Sequence, residues 1–163
     1  DIKISVNVTG TTIQLDSYAD FLAGMQFVYP QHIHNIMLEI TEQANIAIDD
    51  RFFARLNRIR DIGYRFAIDD FSMGNTSVKY LQSNVFSMVK LDGALTRDVE
   101  QNARSREIVQ SMARLAERFQ LEFVAEYVET ESQRALLEEL GCGMYQGYLY
   151  SKAIPLEDFL DYK

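Results

Sequence analysis

The chain has 163 residues, 47% hydrophobic and 25% charged, which is enough to bury a substantial core and too apolar for a disordered segment. Its net charge of −8 argues against generic binding to nucleic acid polymers, but leaves room for a small phosphorylated ligand neutralised by metal ions. The lone cysteine, Cys142, cannot form an internal disulfide and suits a reducing, cytoplasmic setting; no signal peptide and no run of roughly 18 apolar residues is present.

Residues 2–8 alternate and are rich in β-branched side chains, predicting a strand at the very start, as expected of a piece of a longer domain. Residues 17–28 carry Tyr18, Phe21, Leu22, Met25 and Val28 at helical spacing. A second strand is predicted at 35–41. Asp49 or Asp50 then caps a helix with the stripe Phe52, Phe53, Leu56 and Ile59, which ends at Gly63. Residues 64–68 read as a third strand, 76–81 as a short helix and 86–91 as a fourth strand. A long helix over 105–119, a strand at 121–125, a helix over 131–140, a short strand at 144–148 and a terminal helix at 155–160 complete the series.

Strands alternating with helices predict a parallel α/β architecture. Six such units without a nucleotide-binding glycine fingerprint favour a (β/α) barrel over an open doubly wound sheet, though six strands are two short of closure.

In such a barrel the chemistry gathers at the C-terminal ends of the strands. Asn7, Glu39, Asp69 with Asp70, Lys90 with Asp92, Glu126 and Gln146 all fall at or near those ends. They are hard oxygen donors plus one lysine, a set suited to Mg²⁺ or Mn²⁺ rather than zinc. Several carboxylates at one mouth point to two ions about 3.5–4 Å apart that activate a water for in-line attack on a phosphodiester. Each residue also has a structural alternative. Asp69 and Asp70 could form a turn or cap, Lys90 could snorkel to the surface, Asn7 could bond backbone, and Glu126 and Glu129 could be solvated loop ends. Glu39, flanked by Leu38 and Ile40, is harder to place without a partner. Asp49 and Asp50 precede a helix and read as caps; His32 and His34 lack acidic neighbours; Cys142 lacks a histidine and is not read as a nucleophile.

The ordered motifs Val6-Asn7, Glu39-Ile40-Thr41-Glu42, Asp69-Asp70-Phe71-Ser72-Met73-Gly74, Lys90-Leu91-Asp92, Ala125-Glu126-Tyr127-Val128-Glu129 and Gln146-Gly147-Tyr148 resemble those of EAL domains, bacterial phosphodiesterases specific for cyclic di-GMP. The resemblance covers essentially the whole chain. It implies a TIM-like barrel with one antiparallel strand and metal-dependent hydrolysis of cyclic di-GMP to linear pGpG. It also implies Asn7, Glu39, Asp69, Asp70 and Glu126 as ligands of two Mg²⁺ or Mn²⁺ ions, with Asp69 bridging. By the same resemblance Glu126, Lys90 and Asp69 are catalytic. Gln146, Asp92 and Lys90 bind substrate, Glu42 anchors the loop after Asp70, and a homodimer is an available assembly.

There are departures. The Glu-Ala-Leu motif itself does not occur in the sequence, which begins six residues before Asn7. The expectation is therefore an N-terminally truncated domain over 1–163, about six of eight strands, inactive in isolation within an active parent protein. The alternative is an inactive member serving as a cyclic di-GMP sensor or interaction module. Ser72 and Met73 replace residues usual in the loop, Tyr127 replaces a common glycine after Glu126, and Ala153 stands where proline is frequent.

Overall fold

A computed structural model describes residues 2–41, 47–72 and 75–161, with 75–77 described for backbone only. Glu42, Met73 and Gly74 lie outside the described residues. Six strands form one sheet in chain order: β1 (Ile4–Asn7), β2 (Ile36–Thr41), β3 (Arg65–Phe71), β4 (Met88–Leu91), β5 (Glu122–Ala125) and β6 (Met144–Tyr145). Every neighbouring pair is parallel, so the antiparallel strand implied by the resemblance is not among the described residues. Helices α1 (Gly10–Ile13), α2 (Asp16–Val28), α3 (Asp50–Ile62), α4 (Asn75–Gln82), α5 (Gly93–Asp98), α6 (Ala103–Arg118), α7 (Glu131–Glu139) and α8 (Leu156–Leu160) fill the connections or follow the last strand. The result is a half-barrel: sequential parallel strands, with helices packed on one face.

Helix ends follow from local chemistry. Asp49 accepts a 2.9 Å hydrogen bond from the Phe52 amide and caps α3, as its place before a helix predicts. Thr130 and Gln133 cap α7 reciprocally, each side chain bonding the other's backbone. The sequence reading missed α1 and α5, both too short to show a period.

Because side chains alternate along a strand, the sheet has two different faces. Leu38, Ile40, Phe66, Ile68, Val89 and Leu91 point to the helices and join the main core with Leu56, Ile59, Val109 and Met112. Met37, Ala67, Met88 and Val124 form a separate small cluster on the other face. One layer toward the strand starts, Arg65 lies 3.1 Å from Glu122 and donates to the Ser87 hydroxyl at 3.2 Å. One layer toward the strand ends lie Glu39, Asp69, Lys90 and Glu126, two residues on from the apolar members of their own strands. The inner face is thus stratified into an ionic floor, an apolar middle and an acidic rim.

Candidate active site

Three carboxylates and one lysine are buried together at that rim. Lys90 Nζ lies 2.8 Å from Glu39 Oε2, 2.7 Å from Glu126 Oε1 and 3.4 Å from Asp69 Oδ1. Glu39 and Lys90 are each 4% exposed and Glu126 7%, so the snorkelling alternative for Lys90 fails. Burial works against the ammonium, yet the hydrogen bonds it donates to Glu126 and Glu39 overcome this and hold the Lys90 pKa well above its ordinary value. Burial raises the Glu126 carboxyl, and the Lys90 bond only partly offsets this, with Asp69 and Glu39 adding repulsion.

The pairing of Asp69 with Asp70 depends on an irregularity in β3. Consecutive strand residues normally point to opposite faces. Against β4, however, Ile68 pairs with Val89 and Phe71 with Leu91, so β3 carries one extra residue there. Asp70 absorbs the bulge with φ 52°, a left-handed conformation that Asp tolerates better than most residues. Carboxylate oxygens of Asp69, Asp70 and Glu126 then fall within 4.8 Å of one another. Burial, followed by the charges of Asp69 and Asp92, raises the Asp70 pKa, while Lys90 acts the other way. Both aspartates lie within β3 rather than after its end. The strand was expected to end at Ile68 and instead runs to Phe71.

The donor set fits a hard divalent cation. Three buried carboxylates share one ammonium, with the exposed Asp70 beside them, leaving a deficit of positive charge at the rim. Asp69 Oδ1 is buried and, among the described residues, accepts no hydrogen bond of acceptable geometry, Lys90 being 3.4 Å away. A cation would satisfy that atom and the charge together.

The other expected residues surround this centre. Asn7 pairs in register with Glu39 across the β1–β2 ladder and is exposed. Gln146 follows β6; its backbone N–H donates to Ala125 O at 2.9 Å and its backbone carbonyl accepts from Val128 N at 3.1 Å, clamping its backbone beside Glu126. Gly147 makes this possible, since a Cβ there would sit 2.2 Å from Val128 O. Asp92 directs one oxygen to the Ala94 amide at 2.7 Å and caps α5. Glu129 is exposed, with its backbone amide held by Gln133. A cleft of about 400 Å³ runs past Glu126 and Gln146 and is also lined by Arg97, Tyr127 and Tyr148. Arg97 was not foreseen. Tyr127 was noticed as a replacement for glycine, and its left-handed φ of 57° shows why glycine is the easier residue there.

Cys142 is buried and its thiol is pushed up to about 12 by burial, which leaves it protonated and unreactive. His32 and His34 take no part in the described acidic cluster. No helix of the described residues is long and apolar enough to cross a membrane.

A (β/α) half-barrel with an acidic rim at its strand ends defines the class, and comparison with known proteins gives the family. Residues 1–153 match the family model described as EAL domain, and the chain belongs to the EAL domain family. It is 32% identical over 161 residues to the cyclic di-GMP phosphodiesterase RocR of Pseudomonas aeruginosa, covering 99% of this chain and 41% of that protein. The EAL domain of Mycobacterium smegmatis DcpA superposes with a TM-score of 0.90 at 29% identity, covering 98% of this chain and 72% of that one. Klebsiella pneumoniae BlrP1, in a manganese/cyclic di-GMP complex, superposes with a TM-score of 0.81 at 26% identity, covering 92% and 38%. The chain thus spans well under half the length of RocR.

Proposed function

We propose that this chain supplies the greater part of a cyclic di-GMP phosphodiesterase site, within a longer EAL barrel whose remaining strands lie outside residues 1–163. The observation that carries this reading is the buried cluster of Glu39, Asp69 and Glu126 around Lys90, with Asp69 Oδ1 accepting no hydrogen bond among the described residues. The naming of RocR as a cyclic di-GMP phosphodiesterase, and the manganese/cyclic di-GMP complex of BlrP1, support the substrate and a divalent metal.

Asn7, Glu39, Asp69, Asp70 and Glu126 would hold two divalent cations, Mg²⁺ or Mn²⁺. Such a pair, when bound, lowers the pKa of water and neutralises phosphate charge. The chain's own groups do the rest. Glu126, buried at the rim and held by Lys90 at 2.7 Å, accepts the proton of the attacking water. The water oxygen adds to phosphorus, the bond to the ribose 3′-oxygen breaks, and that oxygen takes up a proton. The ring thereby opens to linear pGpG. Lys90, placed where three carboxylates converge, keeps its proton throughout and orients the water or a phosphate oxygen. Gln146 contacts the nucleotide from the edge beside Glu126, and Asp92 offers it the oxygen not engaged in capping.

The test is turnover of cyclic di-GMP by the full-length protein with Mn²⁺ or Mg²⁺, read as pGpG by chromatography, beside Asp69→Asn. The expected result is metal-dependent pGpG that falls about 10²–10³-fold in the variant, the order of loss seen when an electrostatic stabiliser is removed. Tight nucleotide binding without turnover would replace the enzyme reading with that of a sensor. Absence of both would leave an interaction module.

A further inference from the structure

The residue after Glu126 is held in an unusual way. Tyr127 adopts a left-handed φ of 57°, and its ring lies on Gly93, where an added Cβ would fall 2.2 Å from a ring carbon. Over the ring stands Arg97, its guanidinium carbon 4.7 Å from the centroid. Gly93 and Arg97 both belong to α5, the helix that follows Lys90, Leu91 and Asp92. The strand that carries the buried lysine thus runs into a turn that cradles the residue adjoining Glu126.

Arg97 forms no ion pair among the described residues and lines the same cleft as Glu126, Glu129 and Gln146. It is the only cation among the residues lining that cleft. Carboxylates facing a cleft repel a phosphorylated ligand, so an unpaired guanidinium there is set to attract one. Its planar fork suits phosphate oxygens, and the aromatic face below limits the orientations it would lose on binding.

A cyclic dinucleotide has two phosphodiesters. Only one can sit on the acidic rim at a time; the other stays fully ionised near an acidic protein and needs a cation of its own. We infer that Arg97, positioned by the ring of Tyr127, binds the non-reacting phosphodiester of the substrate. The inference rests on the reading of the site as a cyclic di-GMP phosphodiesterase. It makes Arg97 a binding residue and Tyr127 a positioning residue.

The experiment compares two substrates in the full-length protein with Mn²⁺: cyclic di-GMP, and bis(4-nitrophenyl) phosphate, which has a single phosphodiester. Arg97→Met raises KM for cyclic di-GMP about 10-fold with kcat within about 2-fold, flattens its salt dependence, and leaves the single-phosphodiester substrate unaffected. Tyr127→Leu gives a smaller KM increase of the same kind, Tyr127→Phe recovers most of it by keeping the ring, and the Arg97→Met/Tyr127→Leu pair is no worse than Arg97→Met alone. Equal effects of Arg97→Met on both substrates, or on neither, overturn the inference while leaving the phosphodiesterase standing. Wild-type protein that cleaves bis(4-nitrophenyl) phosphate but not cyclic di-GMP overturns the substrate reading and the inference with it.

Discussion

Lys90 is the residue on which the charge balance of the rim depends. It is buried with Glu39, Asp69 and Glu126, so removing it leaves several carboxylates uncompensated in a poorly solvated place. Breaking a buried ion pair from one side costs about 3–5 kcal/mol. Lys90→Met is therefore expected to lower the stability of the metal-free protein by that order in urea unfolding, and Mn²⁺ to restore much of it by supplying the lost charge. Glu126→Gln acts in the opposite sense, because Lys90 keeps two partners and one costly charge disappears. Its metal-free protein should melt at the same temperature or a few degrees higher, with less gain from added Mn²⁺. Identical metal responses in both variants would remove the carboxylate cluster from consideration as the cation site.

The same residues set the sign of a pH effect. A group whose folded pKa lies above its unfolded one contributes stability below the unfolded value and loses it as pH rises through the folded value. For Lys90 that loss begins only above 10.5, so its contribution is intact at neutral pH. For Glu126 and Asp70 the unfolded values are 4.5 and 3.8, and the raised folded values place the loss above these. Metal-free protein should therefore gain stability on mild acidification through that window, and metal should bind less tightly there, since the ions need the ionised carboxylates. Thermal melts from pH 7 down to pH 4.5, with and without Mn²⁺, should converge as pH falls. A gap that stays constant across the range would contradict the assignment.

At the scale of elements, the strands and longer helices were legible because each combines a periodic apolar stripe with punctuation such as Asp49 and Gly63. The positions of Glu39, Lys90 and Glu126 were legible too, as polar residues where apolar runs stop. The bulge at Asp70 was not. It is a mismatch of register between β3 and β4, and no local pattern within residues 65–71 announces a missing partner on another strand. Helix α5 escaped because six residues span under two turns, although Asp92 ahead of Gly93 was a usable capping signal. The closeness of the β6 edge to Val128 was likewise invisible, yet it makes a sharp prediction. Gly147→Ala drives a Cβ into Val128 O and N, at 2.2 and 2.4 Å, and must shift Gln146 away from Glu126. Overpacking of this kind costs about 1–3 kcal/mol, and a displacement near 1 Å at a site can lower turnover about 10²-fold. Preserved turnover in that variant would show that Gln146 has no need of its present position.

The whole molecule is an open sheet, and its two flanks carry apolar surface that water does not favour. Among the described residues β1 pairs only with β2, and Ile2, Ile4 and Val6 are 61%, 56% and 42% exposed. At the other flank α8 buries none of its residues, leaving Leu156 and Leu160 each about three-quarters exposed, at 74% and 76%. Unpaired edges with exposed apolar side chains template association with other chains. If the longer barrel proposed above covers these flanks, the isolated polypeptide 1–163 should self-associate and turn over cyclic di-GMP negligibly, while the full-length protein unfolds cooperatively. Replacing Ile4 and Val6 by lysine separates the two cases. In the isolated polypeptide the added charges face solvent and should suppress association. In the full-length protein they would be buried against the added elements, and should destabilise it by several kcal/mol, as unpaired buried charges do. Light scattering on the first and urea unfolding on the second decide the matter. A monomeric, active polypeptide 1–163, or a full-length protein indifferent to the lysines, would mean that six strands already make the working fold.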